Sequence, residues 1–173
     1  MDNSQLLLKN WIDKIIIGLN LCPFAKDSMP KLKTQKMSFT DTDLLLDTVL
    51  SISDKIIKKD VSNAIIYTDE KMSFNKLNDI CLDFQDVLDQ MSIKIKLVAF
   101  HPDFVFEDLE YEDKANLVNR SPIALIHLIS KDEIAKVVQN FENAKNISLN
   151  NEKKLKQMNN QEYSSLFNYL DKK

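Results

Sequence analysis

Apolar residues recur at helical spacing in several long segments of the chain. The clearest stripe predicts a helix that Ser73 caps, and Cys81 lies on this stripe, which predicts that its thiol belongs to the core. The same spacing predicts a first helix that Ser4 caps and that Asn20 ends in a left-handed conformation. Thr40 with Asp43 resembles a capping box, which predicts that Thr40 opens a further helix that runs to about Lys59.

Four short segments carry the apolar runs or the alternation that predict β-strands, namely residues 36–39, 64–67, 93–100 and 123–129. The connection over residues 101–122 is long, has a helical turn near 114–118 and leaves the fourth strand free to run antiparallel. Beyond the fourth strand, we expect a helix that begins at Ser130 or Asp132 and a short amphipathic helix over residues 163–170.

The order of these elements predicts an α/β fold. Strands that alternate with helices imply right-handed crossovers and a largely parallel sheet. We therefore predict a single domain over residues 1–160, with a mostly parallel or mixed sheet of about four strands and flanking helices. A polar C-terminal helix or tail is expected over residues 161–173.

Composition and charge exclude several classes of function. The chain has 173 residues, of which 44% are apolar and 28% charged, which is typical of one soluble domain. The apolar runs are too short to span a bilayer and the N-terminus does not read as a signal peptide, so we expect a cytoplasmic protein that contacts no membrane. Gly18 is the only glycine, which excludes a P-loop and a dinucleotide-binding turn, and the net charge of −3 argues against a nucleic-acid partner.

Three segments collect the rare residue types, and they carry a resemblance. They contain Leu-Asn-Leu-Cys-Pro-Phe-Ala at residues 19–25, Phe-His-Pro-Asp at 100–103 and Asn-Arg-Ser-Pro at 119–122. With these motifs in this order, the chain resembles an uncharacterised bacterial family, domain of unknown function family 1415, over roughly residues 8–158. No activity is established for that family, so the resemblance implies a shared fold and shared motifs but no reaction.

His101 and Asp103 are the first candidates for catalysis. They directly follow a predicted strand, and the carboxyl ends of strands in open α/β sheets are where ligand crevices form. A histidine with a carboxylate two positions away can move a proton and orient the group that moves it. The structural alternative is that Asp103 caps the loop and that His101 binds a backbone carbonyl.

Cys22 is the candidate nucleophile, with His101 as its base. The end of the first helix would disfavour the thiolate, whereas a short second helix that begins at Pro23 would favour it. The alternative is a small buried residue between Leu21 and Phe24. Cys22 and Cys81 are too few for a disulfide scaffold, which fits a reducing compartment.

Arg120 is the only arginine beside 22 lysines, which marks it as a place where a planar, multidentate donor is needed. Together with Asn119 and Ser121 it offers donors that suit a carboxylate or a phosphate. The alternative is a structural clamp on backbone carbonyls.

His127 lies in the middle of a strand and is expected to be a hydrogen-bonded core residue. No paired ligand spacing supports a metal, and we predict neither a metal nor a cofactor.

The sequence therefore supports three hypotheses. The first is a binding or catalytic site for a small anionic molecule, with His101, Asp103 and Cys22 as the reactive groups and Arg120, Asn119 and Ser121 as the ligand-binding groups. The second is a non-catalytic binding or assembly protein. The third is a structural hub that ties the first helix and two loops to the sheet, and the formation of a homo-oligomer stays open in each case.

Overall fold

Four strands form one mixed sheet in the order β1-β2-β4-β3. The strands are β1 (Leu32–Lys36), β2 (Asn63–Tyr67), β3 (Ile95–Phe100) and β4 (Leu125–Ser130). β1 runs parallel to β2, and β4 runs antiparallel to both β2 and β3. Three strands therefore share one direction, as the alternation with helices predicts, and the antiparallel fourth strand is inserted between the second and the third.

The computed structural model of the chain describes residues 2–22, 25, 29–140 and 144–170. Its α-helices are α1 (Asn3–Trp11), α2 (Thr42–Ile57), α3 (Phe74–Gln90), α4 (Lys131–Asn140), α5 (Ala144–Gln157) and α6 (Asn160–Leu166). A π-helical segment (Ile12–Ile17) continues α1, and 3₁₀ turns span Met29–Lys31 and Lys114–Val118. The predicted α/β fold is confirmed. No helix in the described part of the chain is long and apolar enough to cross a membrane.

Several local predictions are confirmed. Ser73 caps α3 by accepting a hydrogen bond from the backbone N–H of Lys76. Asn20 has a φ of 49°, the left-handed conformation expected after the first helix. Cys81 is buried in the core, as its place on the α3 stripe predicts. The helical turn expected near residues 114–118 is present as a 3₁₀ turn.

Other local predictions are wrong. The first strand was expected at residues 36–39 but covers Leu32–Lys36, because β1 is an edge strand with a polar sequence and shows no apolar run. Asp2, not Ser4, caps the first helix, and Asp41, not Thr40, caps α2; each side chain accepts a hydrogen bond from a helix N–H. Pro23, where the alternative of a short second helix would begin, lies outside the described residues.

The sheet separates two apolar cores. The first lies between one face of the sheet and helices α2 and α3, and contains Leu45, Ile66, Leu77 and Leu88, each fully buried. The second lies on the other face, where α1 and the C-terminal helices cover part of the sheet. Its members include Phe167, which is fully buried and follows α6, so the C-terminal segment packs onto the domain.

Gly18 closes the π-helical segment at a point where no side chain fits. Its N–H donates to the carbonyl of Asp13, five residues earlier, and a Cβ added to it would collide with the carbonyl oxygen of Lys14. We expect Gly18→Ala to lower the free energy of unfolding by about 1–3 kcal/mol, the usual cost of overpacking. Urea unfolding measures this loss. Unchanged stability in Gly18→Ala would show that the π-helical turn relaxes without cost.

Candidate functional site

A groove of about 1100 Å³ crosses the second face of the sheet. Alternate residues of the strands form its floor, since side chains on one face of a strand recur every second position. These floor residues are Leu32, Ile65, Val98, Phe100, Leu125, His127 and Ile129. Trp11 and Ile16 line it from the first helix, and Ile134 lines it from α4. The groove is therefore a site with a mostly apolar floor, and charged side chains such as Lys31, Lys59 and Lys94 also line it.

His127 is the titratable group in the floor of the groove. Its Nε2 lies 2.9 Å from Oδ1 of Asn63, and Nδ2 of Asn63 donates to Ser62 Oγ at 3.0 Å. Because Oδ1 can only accept, Nε2 carries the proton and Nδ1 keeps its lone pair. Burial lowers the pKa of His127 from 6.5 to about 4, so the ring is neutral at physiological pH.

The lowered pKa of His127 predicts a loss of stability in acid. Between about pH 4 and pH 6.5 the unfolded state binds a proton at His127 that the folded state does not. The free energy of unfolding is therefore unaffected by this proton above the window and falls as the pH drops through it. We expect the free energy of unfolding to drop more between pH 7.5 and pH 4.5 in the wild type than in His127→Gln. Equal drops in urea unfolding would contradict the assignment of a neutral buried ring.

Cys22 and Asn119 line the same groove as His127. Cys22 follows the π-helical segment and is half-buried, and its carbonyl accepts a hydrogen bond from the N–H of Ala25. The carbonyl of Asn119 accepts from the N–H of His101, which fixes the Asn119 segment beside the end of β3. The structure thus brings Cys22 and Asn119 to one site with His127, whereas His101, Asp103, Arg120 and Ser121 do not line the groove.

The two thiols differ in exposure, which predicts selective alkylation. Cys22 is half-buried in the groove wall, whereas Cys81 is buried and burial raises the pKa of its thiol to about 12. We expect iodoacetamide to modify Cys22 in the native protein and Cys81 only on unfolding, as mass spectrometry of timed samples would show. Cys22→Ser should remove the native reaction, and equal rates for both thiols would contradict the structure.

His101 is buried and both of its ring nitrogens contact backbone groups. Nδ1 accepts a hydrogen bond from the N–H of Asp103 at 3.0 Å, so Nε2 is protonated and donates to the carbonyl of Met72 at 3.0 Å. Oδ1 of Asp103 accepts from the hydroxyl of Tyr111 at 3.1 Å. These contacts join the loop after β3 to the loop before α3. The catalytic roles of His101, Asp103 and Cys22 stay predictions.

Arg120 is 5% exposed and directed into the loop after β3. Its Nε donates to the carbonyl of Phe104 at 3.0 Å and its Nη2 to the carbonyl of Tyr111 at 2.6 Å. The guanidinium carbon also lies 4.2 Å from the centre of the Tyr111 ring, which adds a cation–π contact. Ser121 donates to the carbonyl of Ile123 at 2.6 Å. The ligand-binding roles of Arg120, Asn119 and Ser121 stay predictions.

Asn116 and Asn63 contact the candidate residues or their loop, and sequence reasoning missed both. Asn116 is fully buried; its Oδ1 accepts from the N–H of Phe106 and its Nδ2 donates to the carbonyls of Glu110 and Tyr111. It therefore holds the same loop as Arg120. Asn63 starts β2 and orients His127. An asparagine at the edge of an apolar strand was the signal available for Asn63, and nothing in the sequence pairs it with His127.

Comparison with known proteins gives a family but no activity. A family model described as a protein of unknown function, DUF1415, matches residues 4–165 of the chain, from α1 to α6. No curated protein and no solved structure matches it. Within the described residues, no group of three or more His, Cys, Asp or Glu side chains is placed to hold a metal ion.

Proposed function

The chain belongs to the DUF1415 family of proteins of unknown function, and we propose that it is a small-molecule-binding protein whose ligand lies in the groove over His127. The observation that carries the proposal is the neutral imidazole in an apolar floor. Its Nε2 is fixed by Asn63, and Nδ1 has no hydrogen-bond partner among the residues that the structure describes. One oriented polar group within a concave apolar surface is the usual arrangement by which proteins bind small molecules.

The pKa of His127 and the hydrogen bonds of His101 favour ligand binding over acid–base catalysis. An efficient proton-transfer group has a pKa near the working pH, whereas the pKa of His127 is about 4. Both ring nitrogens of His101 are hydrogen-bonded to backbone groups. The ring could exchange a proton with a substrate only if one of these hydrogen bonds broke. His127 therefore serves as a hydrogen-bond acceptor for a ligand.

The remaining features fit a cytoplasmic bacterial protein with a small-molecule partner. Both cysteines are free thiols, which supports a reducing compartment. The net charge of −3 supports a partner other than nucleic acid. An enzyme that uses Cys22 stays an alternative, which the selective alkylation described above also tests.

A neutral apolar dye tests the proposed function. N-phenyl-1-naphthylamine carries no charge, and we expect saturable binding to the wild type with a rise in dye fluorescence. Val98→Phe fills the half-buried floor of the groove and should weaken dye binding at least about tenfold, which is about 1.4 kcal/mol. Leu82→Phe is the matched control, since Leu82 is 58% exposed and lies on α3 outside the groove. Absence of saturable binding, or equal binding by Val98→Phe, would overturn the proposal.

A further inference from the structure

We infer that the ligand of the groove is amphipathic, with an apolar body on the sheet and a terminal anionic group between Lys31 and Lys59. This inference rests on the proposed function and specifies the class of ligand. Both lysines line the groove, at the end where β1 begins and α2 terminates. The backbone places them together, because the carbonyl of Lys31 accepts a hydrogen bond from the N–H of Ser62, three residues after Lys59.

The lysines around the groove differ in whether a carboxylate lies within ion-pair distance of the ammonium group. Lys94 lies 3.4 Å from a carboxylate oxygen of Asp132, and Lys136 lies 2.6 Å from one of Glu133. Lys31 and Lys59 have no carboxylate within ion-pair distance among the described residues. An anion at their end of the groove therefore meets positive charge that the protein leaves uncompensated, whereas one beside Lys94 or Lys136 would compete with an acidic neighbour.

Among the described residues, the neighbouring charged groups of this region contact one another and not Lys31 or Lys59. Lys33 on β1 and Lys55 on α2 contact each other, and burial together with the Lys55 ammonium lowers the pKa of Lys33. The acids of this region act on another lysine: Asp54 pairs with Lys58 at 2.7 Å, and Asp60 also favours the charged form of Lys58. Because Leu32 lines the groove, Lys33 lies on the opposite face of the sheet, with Lys55, and Lys31 and Lys59 are the lysines that line the groove at this end.

Lys59 occupies a backbone conformation that lysine adopts rarely. Its φ is 66°, in the left-handed region that favours glycine, where it ends α2. Its N–H donates to the carbonyl of Ile56, and the N–H of Asp60 donates to that of Lys55, so backbone hydrogen bonds complete the helix end. Contact between the Lys59 ammonium and a ligand would explain why lysine, and not glycine, stands at this position.

The rest of the groove presents an apolar surface, and this surface favours a ligand with an apolar body. From the lysine end, the surface continues over Leu32, Ile65 and Ile129 to Trp11 and Phe100 at the far end. His127 interrupts it with one acceptor. An anion without an apolar body would leave this surface exposed to water and would gain only the screened attraction of two exposed ammonium groups.

Displacement of N-phenyl-1-naphthylamine by matched ligands tests the inference. Decanoate and 1-decanol share one chain and differ in charge, and both are used below the concentration at which decanoate forms micelles. We expect decanoate to displace the dye at about tenfold lower concentration than decanol in the wild type, with a difference that shrinks as salt is added. Decyl phosphate in parallel shows whether the site prefers a carboxylate or a phosphate.

The variants locate the anionic group. Lys31→Gln combined with Lys59→Gly should bring decanoate to the affinity of decanol, with dye binding unchanged and a melting temperature equal to or above that of the wild type, since glycine suits a φ of 66°. Lys94→Gln is the control, because Asp132 already compensates that lysine, and it should change decanoate binding less than twofold.

The outcomes separate this inference from the proposed function. Equal affinity of decanoate and decanol in the wild type, with dye bound, would overturn the anionic ligand and leave the groove as a binding site. An equal loss of decanoate binding in Lys94→Gln and in the double variant would also overturn the assignment to Lys31 and Lys59. No dye binding by the wild type would overturn both.

Discussion

Arg120→Lys should lower the free energy of unfolding by about 2–4 kcal/mol, because two charge-assisted hydrogen bonds are lost or distorted. The guanidinium holds the carbonyls of Phe104 and Tyr111 with different nitrogens while it stacks on the Tyr111 ring. A lysine ammonium is a point donor on a flexible chain and cannot reproduce this planar contact. The carbonyl of the buried Phe104 would then lose its contact with the guanidinium, whereas that of Tyr111 would keep the contact from Nδ2 of Asn116 at 3.3 Å.

Urea unfolding at neutral pH measures this loss. Lys76→Arg, on the exposed side of the first turn of α3, is the matched control and should change stability by less than about 0.5 kcal/mol. The ligand-binding role predicted for Arg120 leads to a different result. If Arg120→Lys keeps the stability of the wild type but loses stabilisation by added phosphate, then Arg120 binds an anion and the clamp is of minor importance.

The fold was predictable where one face of an element meets the core. α3 shows the clearest apolar stripe in the sequence, and its cap and extent follow from that pattern. β1 and α5 could not be identified in this way. β1 is polar because it lies at the edge of the sheet, and α5 owes its place to a few contacts such as the fully buried Leu155 and the hydrogen bond from Asn151 to the carbonyl of Leu21.

The candidate site was predictable only in part, since residue type does not determine which partner a side chain contacts. His101 and Arg120 are rare residues in unusual motifs, and the structure directs His101 toward the carbonyl of Met72 before α3 and Arg120 toward two carbonyls of the long loop after β3. Such a loop needs these partners because its buried carbonyls have no strand to pair with. The groove itself is formed by alternate residues of four strands, and their register is a tertiary property that no local pattern contains.

The C-terminal segment was predictable in part. Its sequence predicts a polar helix or tail, with a short amphipathic helix over residues 163–170, and the structure has α6 with a capping box in which Asn159 and Glu162 exchange hydrogen bonds with each other's backbone N–H. Two tyrosines then pack on either side of Phe167: its ring centre lies 5.6 Å from that of Tyr163 and 6.0 Å from that of Tyr169. The hydroxyl of Tyr169 donates to the carbonyl of Arg120, which connects this segment to the loop after β3.

Phe167→Ala should therefore lower the free energy of unfolding by about 3–5 kcal/mol, the cost of removing a fully buried aromatic side chain from a packed core. Leu149→Ala is the control in the same part of the chain, because Leu149 is 61% exposed and its loss should cost less than about 0.5 kcal/mol. Urea unfolding followed by the fluorescence of Trp11, which belongs to the same core, reports directly on this face of the sheet. A Phe167→Ala protein as stable as Leu149→Ala would show that the segment after α6 is a tail and that the second core is complete without it.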